Sequence, residues 1–188
     1  MQYINLVKKI IPSMYKRKAI FFDRDGVINK LIRREDGLYS PRTFDDFNFY
    51  QDVASCMKQL AEDGFLIFIV SNQPDISRKK MLTEELNKID IEINKKLHID
   101  QIYYSFDSKV VSGGSKKPSP QMIFEARDKW NIDLSKSYFL GDSIVDMECA
   151  KNANVAFILV RRKHNQDIEY PYYVNDLNNV HRIINGIV

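Results

Sequence analysis

Asp23 and Asp25 stand two residues apart, directly behind the apolar run Ala19-Ile20-Phe21-Phe22 and ahead of Gly26. A short apolar run closed by a turn signal reads as a buried strand, so both carboxylates fall at its carboxyl end. Two like charges held there cost free energy unless something positive is bound beside them. A hard divalent cation suits, because carboxylate oxygens are its preferred ligands. Three more polar signals repeat this placement. Ser71-Asn72-Gln73 follows the apolar stretch 65–70. Lys117-Pro118 ends a turn-rich loop, and Gly141-Asp142, with Asp146 further on, follows Tyr138-Phe139-Leu140. Each alone has an ordinary explanation: an Asp-Gly turn, a turn serine, a solvated lysine, an acid in the first turn of a helix. Together they fit phosphoryl transfer through a covalent aspartyl-phosphate. Asp23 is placed to attack phosphorus, and Asp25 to protonate the leaving oxygen and then deprotonate the hydrolytic water. Asp142, with Asp146 as a further candidate, would hold Mg²⁺ together with Asp23 and the Asp25 carbonyl. Ser71 and Lys117 would hold the remaining phosphoryl oxygens, where charge spreads in the transition state.

These residues need a frame that brings them together across more than a hundred positions of sequence. Apolar runs at 65–70, 99–105, 138–140 and 155–160 alternate with helical patterns at 52–63, 83–97, from Ser119-Pro120 and at 144–153. The alternation predicts an α/β fold, a doubly wound, mainly parallel sheet covered by helices on both faces. Ligands of such sheets bind at the carboxyl ends of the strands, where all four signals lie. Gly64 is the expected stop of the first of these helices, Thr83 the cap of the second and Ser119 the cap of the third, with Pro120 in its first position. A short strand near 172–174 and a helix from Asp176 close the chain. The stretch 30–50 is long for a connection and reads as a functional loop or small flap. Residues 1–18 are expected to form an N-terminal arm, in which Pro12 argues against one continuous helix. The remainder, 19–188, reads as one domain with a minimal cap or none.

Length and composition bound the function. A chain of 188 residues with 44% apolar content can bury a core. A net charge of +3, from 28 basic and 25 acidic residues, argues against a nucleic-acid or membrane partner. Cys56 and Cys149 lack CxxC spacing and read as buried small hydrophobes. No run is long enough for a signal peptide or membrane span, so a cytoplasmic protein is expected, with a monomer favoured.

The strings DRDGVIN, Ser71-Asn72-Gln73, Lys117-Pro118 and GDSIVDM resemble the four motifs of the haloacid dehalogenase superfamily of phosphatases. FNFYQDV, IDQIYYS and KPSPQM extend the likeness to its heptose bisphosphate phosphatase and histidinol-phosphatase subgroup. The resemblance covers about 19–160. It implies a Mg²⁺-dependent phosphomonoesterase with Asp23 as nucleophile and Asp25 as general acid/base. It assigns the metal to Asp23, Asp25 and Asp142, and phosphate contacts to Ser71, Asn72 and Lys117. Gln73 and Lys116 stand beside those motifs as further substrate contacts. Arg33 and Arg34, in the loop that touches substrate in this family, would suit a second phosphate or a sugar acid.

The chain also departs from that pattern. The subgroup's structural zinc is held by Cys and His in the loop before the Lys-Pro motif. Ser105, Asp107, Gly113 and Ser115 occupy the corresponding positions here, so no zinc is expected, and turns and packing would hold the loop. Lys116 replaces an arginine, and Ser143 follows Asp142 where the subgroup often has lysine. The expected substrate is a small phosphorylated sugar, a precursor of a surface polysaccharide such as lipopolysaccharide. Histidinol phosphate and a nucleic-acid 3′ end are the enzymatic alternatives. A receiver-type phosphoacceptor domain is the non-enzymatic one; its paired acids are adjacent, unlike Asp23 and Asp25, and its acceptor lies on a later strand.

Overall fold

The structure, a computed structural model, describes residues 16–186. Residues 1–15, most of the expected arm, lie outside the described residues. The chain runs β1 (Ala19–Phe22), β2 (Ile32–Arg34), β3 (Gly37–Tyr39), α1 (Val53–Glu62), β4 (Leu66–Asn72), α2 (Pro74–Ser77), α3 (Thr83–Lys96) and β5 (Gln101–Ser105). It continues through α4 (Gln121–Trp130), β6 (Tyr138–Gly141), α5 (Ile144–Ala153), β7 (Ala156–Val160), β8 (Tyr173–Val174) and α6 (Val180–Gly186). Among the described residues, no helix is long and apolar enough to cross a membrane.

Six strands form one sheet in the order β5-β4-β1-β6-β7-β8, and every pairing is parallel. β1 therefore sits inside the sheet, and all four of its residues are fully buried. Its period of two divides the core. Ile20 and Phe22 join Ile67, Ile69, Leu140 and Ile158 on one face, against Met57 and Leu60 of α1 and Leu86, Ile89 and Ile93 of α3. Phe21 joins Phe68, Phe139 and Phe157 on the other, against Met122 and Ala126 of α4 and Cys149 and Ala150 of α5. The helices change face after the chain has built β1, β4 and β5 outward in one direction and returned to add β6 and β7 on the other side. That reversal beside β1 makes the crevice at its carboxyl end the place for a ligand.

The 30–50 stretch contains an antiparallel hairpin, β2 against β3, that alternation did not announce. Arg42 Nε bonds Asp75 of α2 at 2.6 Å, and the Phe44 N–H bonds Glu85 of α3 at 2.6 Å, so the flap is tied down at two points. Gly64, at φ +84°, ends α1 as expected.

Two expected caps differ. The cap position of α3 is Leu82, not Thr83, which is already helical. α4 begins at Gln121, with Pro120 as cap and Ser119 one residue outside; Pro120 has no N–H to lose there. α5 is capped by Ser143. The Ser143 hydroxyl accepts from the Asp146 N–H and Asp146 returns to the Ser143 N–H, a reciprocal capping box.

Candidate active site

β1, β4 and β6 lie side by side, so Asp23, Ser71 and Asp142 emerge together at one edge of the sheet. They line a cavity of about 640 Å³ with Asp25, Asn72, Gln73, Lys117 and Asp146. Leu38, Tyr39, Ser40 and Pro41 of the flap form part of its wall.

Lys117 is the electrostatic centre. Its Nζ lies 2.5 Å from Asp23 Oδ1 and 2.6 Å from Asp146 Oδ1, and the side chain is 4% exposed. Burial opposes its charge, but Asp146 and Asp23 more than reverse that and raise the ammonium above the usual lysine range. Burial pushes the Asp23 carboxyl well up; Lys117 opposes this, while Asp146, Asp142 and Asp25 add to it. Burial also raises Asp142, against a hydrogen bond from His164 that lowers it.

The loop holding Lys117 is clamped to β4. The Lys117 N–H donates to Asn72 Oδ1 (2.9 Å), and Asn72 Nδ2 donates to the Lys117 carbonyl (3.2 Å). Asn72 thus fixes the backbone of the lysine rather than projecting freely into the cavity. Gln73 Nε2 donates to Asp25 Oδ2 (2.6 Å) and to Ser71 Oγ (3.0 Å), orienting both.

Asp25 has surroundings of its own. It accepts from Asn29 Nδ2 at 3.0 Å and from Nε and Nη2 of Arg24, a fully buried arginine. The Arg24 guanidinium lies 5.9 Å from the ring of Tyr104, whose hydroxyl donates to Asp90. The residue between the two acids of DRD therefore acts as a buried brace for the second of them.

Asp23, Asp142 and Asp146 bring carboxylate oxygens within 4.8 Å of one another, all buried. The side chain of Asp25 is not part of this cluster. An all-oxygen set suits a hard divalent cation. Asp146 is already engaged by the N–H groups of Asp142 (3.3 Å) and Ser143 (3.1 Å), the Ser143 hydroxyl (2.6 Å) and Lys117. Two glycines make room for the arrangement. A Cβ on Gly26, at φ +96°, would fall 1.9 Å from Asp142 Oδ2, and one on Gly141 would fall 2.3 Å from Asp146 Cβ.

The structure leaves Arg33, Arg34 and Lys116 outside this cavity's lining. Successive strand residues point to opposite faces, so Arg33 and Arg34 part company. Arg33 lines the adjoining cavity. Arg34 packs 5.4 Å from the Tyr39 ring and 4.0 Å from Asp46. Lys116 Nζ donates to the Ser108 carbonyl at 2.9 Å. At the positions matching the subgroup's zinc ligands, Ser115 Oγ donates to Ser105 Oγ (2.9 Å) and the Ser115 N–H to Asp107 (3.0 Å), cross-linking the loop.

Sequence reasoning missed two residues. His164 Nε2 lies 2.5 Å from Asp142 Oδ2, and Asn165 Nδ2 donates to the Asp142 carbonyl at 2.7 Å. Both follow the carboxyl end of β7, so the strand-end rule that picked out Asp23 and Asp142 would have found them had it been applied to one more strand.

A sequence profile of haloacid dehalogenase-like hydrolases matches residues 8–160. The chain is 33% identical over 156 residues to the D-glycero-β-D-manno-heptose-1,7-bisphosphate 7-phosphatase of Escherichia coli, covering 76% of this chain and 78% of that one. It is 29% identical over 174 residues to the D-glycero-D-manno-heptose-1,7-bisphosphate 7-phosphatase of Chlorobaculum tepidum, covering 82% and 83%. Its fold is similar to a crystal structure of D,D-heptose 1,7-bisphosphate phosphatase from B. bronchiseptica complexed with magnesium and phosphate. The TM-score is 0.77 at 22% identity, over 91% of this chain and 99% of that one.

Proposed function

The chain belongs to the haloacid dehalogenase-like hydrolases and is a phosphatase, and from that premise we propose that it removes the 7-phosphate of a D-glycero-D-manno-heptose 1,7-bisphosphate through an aspartyl-phosphate on Asp23. The observation that carries the mechanism is the contrast between the two acids. Asp23 faces the Lys117 ammonium in the cavity, whereas Asp25 is held by Arg24, Asn29 and Gln73. Each acid has a cation beside it, but Lys117 lines the cavity together with Asp23, whereas Arg24, paired to Asp25, is fully buried outside that lining.

An Asp23 carboxylate oxygen forms the bond to phosphorus while the phosphorus–oxygen bond to the sugar breaks, and Asp25 donates a proton to the departing oxygen. Asp25 then takes a proton from water, which attacks the phosphorus. The bond to Asp23 breaks, and inorganic phosphate leaves. Lys117 and the Ser71 hydroxyl contact phosphoryl oxygens throughout. Asp23, Asp142 and the Asp25 carbonyl would hold Mg²⁺, whose charge offsets the repulsion between carboxylates and phosphate. Asp146 acts on Lys117 and on the 142–143 backbone. The heptose assignment rests on the relatives' activity together with the sugar-sized cavity.

Purified protein with Mg²⁺ is expected to release phosphate from heptose 1,7-bisphosphate and leave the 1-phosphate, read by phosphorus NMR. Asp23→Asn lowers kcat by roughly 10⁴-fold or more, as expected for loss of a nucleophile. Turnover of the Asp23→Asn protein near the wild-type rate contradicts the mechanism. Release of the 1-phosphate instead contradicts the substrate orientation.

A further inference from the structure

Three side chains grip Asp25. Asn29 donates to its Oδ1 and Gln73 to its Oδ2, one bond each. Arg24 closes on both oxygens, with Nε 3.2 Å from Oδ1 and Nη2 3.1 and 3.0 Å from Oδ1 and Oδ2. A planar fork fixes the plane of a carboxylate in a way that two separate amide bonds do not. Arg24 is fully buried, and its other amino group, Nη1, meets no partner at hydrogen-bond geometry among the described residues. A buried guanidinium with an unused donor costs stability, and an apolar side chain would fill the space without that cost.

The fork has a support of its own. Tyr104 of β5, in register with Ser71 of β4, sets its ring 5.9 Å from the guanidinium carbon, within the range of a cation–π contact. The Tyr104 hydroxyl donates to Asp90 Oδ1 at 2.5 Å, which pins the ring to α3. Burial raises the Tyr104 phenol and the Asp90 carboxyl, and the Arg24 charge acts against burial at both. A series of contacts thus runs from Asp25 in the cavity through Arg24 and Tyr104 to a half-buried carboxylate on a helix. Neither Tyr104 nor Asp90 lines the cavity, so any effect they have on the reaction passes through other residues.

We propose that Tyr104 and Asp90 are positioning residues for proton transfer: they hold the Arg24 fork and, through it, keep the Asp25 carboxyl facing the oxygen of the departing sugar. The inference rests on the reading of Asp25 as the acid and base of the reaction and extends it to two side chains outside the cavity. An Asp25 carboxyl that has turned away leaves Asp23, Lys117 and Ser71 in place, so the loss falls on the step in which a proton must move. Cleavage of a sugar ester needs that proton, because an alkoxide is a poor leaving group. A nitrophenolate departs without it.

Tyr104→Phe removes a single oxygen and keeps the ring, and Asp90→Ala removes the acceptor from a half-buried helical position; circular dichroism checks that both fold. The readout is kcat/KM, which covers the steps up to departure of the leaving group, for heptose 1,7-bisphosphate and for 4-nitrophenyl phosphate. Each variant is expected to lose about tenfold on the sugar phosphate, a part of what a positioned acid contributes, and less than about twofold on the nitrophenyl ester. Both substitutions break the same series, so the double variant falls no further than the singles, and Tyr104→Phe costs nothing more in Asp25→Asn protein. Additive losses in the double variant, or a further tenfold fall on the Asp25→Asn background, overturn the proposal. So do equal losses on both substrates in Tyr104→Phe beside an Asp25→Asn protein that still discriminates between them. Equal losses in Asp25→Asn itself overturn the reading of Asp25, and the proposal with it.

Discussion

At the scale of single residues, the site works by giving similar groups different neighbours. Asp23 and Asp25 differ in position by two, yet one meets a lysine and the other an arginine, an asparagine and a glutamine. Asp142 has its own support in His164 and Asn165. Its approach to the other acids depends on Gly26, because a methyl group there would occupy the space of the Asp142 carboxylate and strain a positive-φ backbone. Gly26→Ala is therefore expected to lower kcat/KM by about 10²-fold, the scale of a displacement near 1 Å in a catalytic group, and to raise the Mg²⁺ concentration needed for half activity. Steady-state kinetics over a Mg²⁺ series checks this. A wild-type response in Gly26→Ala would show that Asp142 is not held by that contact.

At the scale of elements, strand ends supply the acids and short hydrogen-bonded clamps supply the rest. Asn72, at the end of β4, ties both polar groups of the Lys117 backbone. Asn72→Ala leaves those partly buried groups unpaired, costing about 1–3 kcal/mol. The expected outcome is a lower urea midpoint together with a lower kcat, since Lys117 loses its anchor; equilibrium unfolding and kinetics on the same preparation check both. A stability loss with unchanged kcat would place Asn72 outside the positioning of Lys117. The parallel sheet and the strand ends carrying Asp23, Ser71 and Asp142 were legible because continuous apolar runs in α/β alternation admit few other folds. The β2–β3 hairpin was not, since three-residue strands paired only with each other carry little periodicity. The caps slipped because Ser, Thr and Pro near a helix start are compatible with several frames, and tertiary contacts choose among them. Asn72 and Gln73 were legible as site residues but not as braces, because a polar side chain's partner 45 or 48 residues away leaves no local signal. The same holds for Arg24, whose burial beneath Asp25 no spacing rule predicts.

At the scale of the whole molecule, the sheet gathers an uncompensated set of charges that folding alone does not favour. Burial raises Asp23 and Asp142, and Lys117 offsets only part of the repulsion within the carboxylate cluster. A stability-driven sequence would not concentrate these groups at the carboxyl end of its most buried strand; a binding and transfer site requires it. The surrounding core carries that cost through two apolar layers packed on either side of β1. Cys56 and Cys149 belong to those layers, and burial pushes both thiols up to about 12, which keeps them out of the chemistry. The central claim is that the phosphoryl group passes through Asp23. The most direct measurement is acid quenching during turnover of heptose 1,7-bisphosphate, borohydride reduction, and peptide mass spectrometry. The account predicts homoserine at position 23, formed only when substrate is present and absent from Asp23→Asn protein. Steady turnover with unmodified Asp23 at every quench time, or homoserine at position 25 instead, would contradict it.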